Sequence, residues 1–159
     1  MHGPHWLDDR EERAWRRYLR MHTRLSGRLN RELQRGAGLS EADYEVLVNL
    51  SEAPAGQMRA FELSRSMQWE KSRLSHQLTR MAGRGLVERV ECESDGRGAH
   101  VVITGAGRSV IEAAAPRHVE DVRRYFLEPL TPAQLDCLTE IADSVLSRLD
   151  EADESDGCG

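Results

Sequence analysis

Hydrophobic residues recur every three or four positions along most of this chain, and the spacing changes character in one stretch only. From about Asp9 to Arg35, Trp15, Leu19, His22, Leu25, Leu29 and Leu33 fall on one helical stripe, with arginines on the other faces. Such a charge series is more often a solvated face than a ligand surface. Gly36-Ala37-Gly38 breaks this helix, and Ser40 with Asp43 three residues on forms a variant capping box for the next. Tyr44, Leu47, Val48 and Leu50 are its expected buried stripe. After the turn Pro54-Ala55-Gly56, Met58 is placed in a short strand. Late in the chain, Thr104 is an expected N-cap for a helix from Gly105 to about Phe126, whose apolar face of Val110, Ile111, Ala114, Val119 and Val122 is interrupted by Pro116. Thr131-Pro132 starts a last helix with a wide apolar face: Leu135, Leu138, Ile141, Ala142, Val145, Leu146 and Leu149.

Between these helical segments the pattern shortens. Phe61–Met67 and Glu70–Met81 read as two short helices, the second closed by Gly83 and Gly85. Leu86–Cys92 and His100–Thr104 then carry β-branched residues on either side of Asp95-Gly96-Arg97-Gly98, which is a hairpin signal. In the second short helix Leu74, Leu78 and Met81 share a stripe and must be the packed side. Ser72, His76 and Thr79 lie roughly opposite, flanked by Arg73, Ser75 and Arg80. That outer face is short, polar and free of the acids that would repel phosphate.

Charge sharpens the picture. From Arg65 to Arg84 there are five basic residues and one acid, a local balance of +4 in a chain whose net charge is −5. Basic charge is thus concentrated where the helical pattern expects contact, and phosphate neutralisation dominates affinity for nucleic acid. Lys71, Ser72, Arg73, Ser75, His76, Thr79 and Arg80, with Asp95 and Arg97 on the hairpin, are the candidate DNA-binding residues. Arg97 suits a narrow minor groove, and Asp95 an internal role that fixes the hairpin's shape.

Glu62-Leu63-Ser64, Ser72-Arg73-Leu74-Ser75, Gly85-Leu86-Val87-Glu88-Arg89, Asp95-Gly96-Arg97 and Ile103-Thr104-Gly105-Ala106-Gly107 follow one another in order. Together they resemble the winged helix-turn-helix of the MarR family of bacterial transcription regulators, over about Glu12 to Leu149. The resemblance implies an obligate homodimer on a pseudo-palindromic operator, usually a repressor relieved by a small ligand or by oxidation. It also places an effector pocket between the dimerisation helices and the DNA-binding domain, where Trp15, Tyr18, His22 and Tyr44 are the candidate lining residues. Ordinary core packing is the alternative for those four.

Composition limits the remaining choices. The chain has 159 residues, 39% hydrophobic but only 5% aromatic, a lean core that points to stability gained by association. No apolar run approaches the ~20 residues of a membrane span, and Met1–Trp6 lacks a basic-then-apolar signal, so a cytoplasmic location is expected. There is no phosphate-cradling glycine loop followed by lysine, no His-Glu-x-x-His and no Gly-x-Ser-x-Gly, so no enzyme and no cofactor are expected. Gly105-Ala106-Gly107 lacks the last glycine of a dinucleotide fingerprint and is better explained as a turn into a helix. The six histidines are scattered, and no metal site is expected. The organic-hydroperoxide branch of the family carries a reactive cysteine near the start of the first helix. Here no cysteine precedes Cys92; Cys137 is expected to pack, leaving Cys92 and Cys158 as candidate thiols.

The expected architecture is mainly α with a small β-wing. A helical dimerisation module comprises residues 9–53 and 105–149, a winged helix-turn-helix residues 54–104, and a disordered acidic tail residues 150–159. The expected function is a homodimeric, sequence-specific DNA-binding regulator, a repressor relieved by a small ligand. A winged-helix protein-interaction module without DNA binding and a metal- or thiol-responsive regulator are the alternatives.

Overall fold

The computed structural model describes residues 6–91 and 99–156. The elements are α1 (Asp9–Ala37), α2 (Glu41–Glu52), β1 (Gln57–Arg59), α3 (Ala60–Met67), α4 (Lys71–Gly83), β2 (Val87–Glu91), β3 (Ala99–Ile103), α5 (Gly105–Val122) and α6 (Pro132–Asp156). A 3₁₀ turn at Pro54–Gly56 precedes β1, and a π turn at Arg123–Leu127 follows α5. The chain divides into two compact units, up to Glu120 and from Asp121 onward. Among the described residues no helix is long and apolar enough to cross a membrane.

Local chemistry explains most of the boundaries. Asp8 caps α1, its Oδ1 accepting from the main-chain N–H groups of Arg10 and Glu11, both at 2.8 Å, while Glu11 caps Asp8 in return. α1 ends at Ala37 because Gly38, with φ of 65°, takes the left-handed cap conformation. The expected Ser40–Asp43 box is present, at 2.9 and 3.0 Å. The glutamine–tryptophan turn between α3 and α4 contains no glycine: Gln68 adopts φ of 54°, Trp69 N–H bonds to the Ser64 carbonyl, and the Ser64 hydroxyl donates to the Trp69 carbonyl at 2.7 Å. Thr131 and Gln134 cap α6 reciprocally.

The three strands form an antiparallel sheet in the order β1-β3-β2, so the short Met58 strand does pair with the wing. Gln57 faces Val102 on one side of β3, and Val87 faces Ile103 on the other. One hydrophobic core joins Leu39, Val46, Leu47 and Leu50 to Leu63, Leu74, Leu78 and Met81, to Val87, Val101 and Ile103, and to Ile111 and Ala114 of α5. α2 and the first half of α5 are therefore packed into the same core as the helix-turn-helix, across the 53/54 and 104/105 boundaries drawn from the sequence.

Several details differ from expectation. Val46 is fully buried, whereas Tyr44 and Val48 are half-buried, because the buried face of α2 is turned by one residue and includes Asp43. α6 runs to Asp156, through residues expected to be a disordered tail; from Asp150 to Asp156 there is neither glycine nor proline to break a helix, and Gly157 follows. Cys137, expected to pack, is exposed.

Candidate nucleic-acid interface

α4 packs through Leu74, Gln77, Leu78 and Met81. Lys71, Ser72, Arg73, Ser75, His76, Thr79 and Arg80 are all exposed, so the seven helical residues singled out from the pattern share the solvent side of one helix. Asp95 and Arg97 lie outside the described residues, as do Cys92 and Cys158.

The exposed side chains are not all loose. The Arg73 guanidinium lies 3.8 Å from the centroid of the Trp69 ring, a cation–π contact that restrains it at the start of α4. It also lies near Glu45 of α2. Burial is the main reason that carboxyl is held above its usual range; Arg73 pulls it down and Glu41 pushes it up. The Thr79 hydroxyl donates back to the Ser75 carbonyl at 2.9 Å. Arg89 of β2 donates to the same carbonyl, tying the wing strand to α4. The Glu70 side chain makes no cap, so the first-turn amides of α4 are suited to an anionic oxygen.

A polar network underlies this face, and the apolar stripe gave no sign of it. Asp43 is 4% exposed. Its Oδ1 accepts from Gln77 Nε2 at 2.6 Å, and its Oδ2 from Arg84 Nη1 at 2.6 Å and from the Ser40 main-chain N–H at 2.9 Å. Arg84 Nη2 donates to the Gly38 carbonyl at 2.7 Å, and Arg80 Nη2 donates to Gln77 Oε1 at 2.7 Å. A buried carboxylate with this many donors is fully paired, which its desolvation requires.

Beside α4, a groove of about 390 Å³ is lined by buried Leu74, Leu78 and Val101 and by exposed Lys71, Ser75 and Arg89. The four residues expected to line an effector pocket are not gathered in one place. Trp15, Tyr18 and His22 stack along exposed α1, with ring centroids 5.7 and 6.1 Å apart. Tyr44 instead meets His118 of α5 at 4.3 Å; burial and Glu52 raise its hydroxyl pKa. On α6, Ile141, Val145, Leu146 and Leu149 are each more than half exposed in the single chain.

Comparison with known proteins now bears on this arrangement. The profile of the MarR family matches residues 37–98. The structure is similar to that of AbsC, a MarR family transcriptional regulator from Streptomyces coelicolor, with 41% identity, a TM-score of 0.86 and coverage of 93% of this chain and 99% of that one. The chain belongs to the MarR family. A second MarR family transcriptional regulator from Streptomyces coelicolor, solved in complex with DNA, shares 39% identity over 92% of each chain, with a TM-score of 0.86. A mutant MarR from E. coli complexed with operator DNA has the same fold, at 24% identity and a TM-score of 0.74, covering 82% of this chain and 91% of that one. A search of curated protein sequences finds no match. As a MarR-family transcriptional regulator the chain falls in a family of regulators rather than enzymes, and its mainly helical fold with a three-stranded wing is the one the sequence led us to expect.

Proposed function

We propose that this MarR-family chain is a homodimeric, sequence-specific DNA-binding repressor relieved by a small ligand. The observation that carries the DNA-binding reading is the face of α4: seven exposed polar or basic residues opposite the packed side formed by Leu74, Gln77, Leu78 and Met81. Support comes from the relatives solved with DNA. In this reading Ser72, Arg73, Ser75, His76 and Arg80 meet the major groove, Lys71 and the first-turn amides meet phosphate, and Arg97 enters the minor groove beside Asp95. Two copies place two half-sites about one helical turn apart, roughly 10 bp.

Dimerisation is supported by the uncovered apolar face of α6, which a lone chain poor in aromatics leaves in water. Relief by a small ligand follows the family pattern, and the exposed stack of Trp15, Tyr18 and His22 is the surface such a ligand would meet.

The test is a mobility-shift titration with the DNA upstream of the chain's own gene, at several salt concentrations. Salt-sensitive, sequence-selective binding is expected, and Arg73→Ala or Arg80→Ala should cost about 1–3 kcal/mol and relax preference at one base pair. If the wild-type protein binds no DNA at low salt, the proposal fails.

A further inference from the structure

Arg80 is exposed, yet it is not free to wander. Its Nη2 is held by Gln77 Oε1 at 2.7 Å, and Gln77, 4% exposed, is in turn held by Asp43 on a different helix. The chemistry of this chain of contacts has a direction. An ionised carboxylate can only accept, so Asp43 forces the NH₂ end of the Gln77 amide toward itself and leaves the carbonyl end facing Arg80. With the amide reversed, Arg80 would meet a second donor and the contact would be lost. Asp43 is itself fixed by Arg84 and by the Ser40 amide, so the whole relay is anchored in the α2 cap. Because a guanidinium has five N–H donors, one bond to Gln77 leaves enough for a bidentate base contact in a fixed orientation.

On the DNA-binding reading above, we propose that Asp43 and Gln77 are positioning residues for Arg80. They set the base preference at the pair Arg80 reads without touching DNA themselves. Held in place beforehand, the guanidinium loses less freedom on binding the right base, and a wrong base cannot be met by a simple swing of the side chain.

The experiment uses the full-length protein and a duplex recovered by the wild type from a random-sequence pool, with every single-pair variant of that duplex. Arg80→Ala identifies the base pair whose preference depends on Arg80. Gln77→Met keeps length and bulk but removes the relay. It is expected to lower discrimination at that same pair by about tenfold, to leave the other pairs unchanged, and to add nothing in the Gln77→Met, Arg80→Ala double variant. Asp43→Asn is expected to lower discrimination at the same pair; if it fails to fold, Gln77→Met alone decides. A uniform loss across all pairs, with a lowered melting temperature, would mean that Gln77 is merely structural and would overturn the proposal. Unchanged discrimination in Gln77→Met overturns it as well, while leaving DNA binding by α4 intact. If Arg80→Ala alters no pair, base reading by Arg80 fails and the positioning role fails with it.

Discussion

Arg89 of β2 reaches across to α4, where its Nη2 lies 2.6 Å from the main-chain oxygen of Ser75 and 3.3 Å from the Ser75 hydroxyl. One guanidinium thereby sets the angle between the wing strand and the helix proposed to enter the groove. Arg89→Met keeps the aliphatic stem and removes the donor. DNA affinity should fall by about 1 kcal/mol, the usual worth of one such bond. The informative readout is the salt dependence of binding. An internal clamp predicts an unchanged slope, whereas a direct phosphate contact would reduce it by about one counterion equivalent.

Gly107 sits where α5 leaves the wing, and its amide is capped by the Thr104 hydroxyl at 3.0 Å. A Cβ added there would collide with the carbonyl oxygen of Leu86, which already accepts from the Thr104 amide at 3.1 Å. The glycine of the Gly105-Ala106-Gly107 turn is thus required by close backbone approach, and no phosphate is needed to explain it. Gly107→Ala should destabilise the fold by about 1–3 kcal/mol, the range for overpacking, read as a lower denaturant midpoint at unchanged slope.

Glu45 gives a pH-dependent outcome. Burial first, and Glu41 second, raise its pKa above the ordinary 4.5, against the opposing pull of Arg73. For an acid whose folded value is raised, ionisation is harder in the folded state than in the unfolded chain. Its penalty is therefore absent below the ordinary value, grows through the window up to the raised value, and is complete above it. Glu45→Gln should match the wild type in acid and exceed it in stability at neutral pH. Denaturant midpoints measured across that range provide the check, and a wild-type advantage at neutral pH would contradict it.

The apolar face of α6 is the fourth test. Leu146→Asp would place a carboxylate in the proposed subunit contact, at a cost of several kcal/mol if that contact forms. Sedimentation at micromolar concentration should show a dimer for the wild type and a monomer for the variant. A compact wild-type monomer that still binds its operator tightly would remove the dimer from the proposal.

Periodicity and capping chemistry made the order of elements legible. Leu74, Leu78 and Met81 marked the packed side of α4, and Ser40–Asp43, Thr104 and Thr131–Pro132 marked helix starts that the structure reproduces. What stayed hidden depends on partners distant in sequence. Gln77 lies on the packed stripe between Leu74 and Met81, but a polar residue there does not register as apolar periodicity. Its acceptor, Asp43, was visible only as a capping residue. The Asp43–Arg84 pair and the Tyr44–His118 contact join separate helices, and spacing along one helix carries no information about its neighbours. For the same reason the expectation taken from the family resemblance grouped Tyr44 with Trp15, Tyr18 and His22, whereas packing sets it against His118 of α5.

The strand order has a consequence for how the molecule assembles. β1 lies just before α3, and β3 comes after β2, yet the two strands pair directly through Gln57–Val102, Met58–Val101 and Arg59–His100. Everything between them, α3, α4 and β2, is therefore a loop closed at its base by a sheet. Closing so long a loop costs entropy before any contact within it repays the cost. The helix-turn-helix should consequently gain its full stability in one cooperative step with the sheet rather than helix by helix. Amide protection in α4 and in β3 should then rise together during refolding and be lost together on global opening.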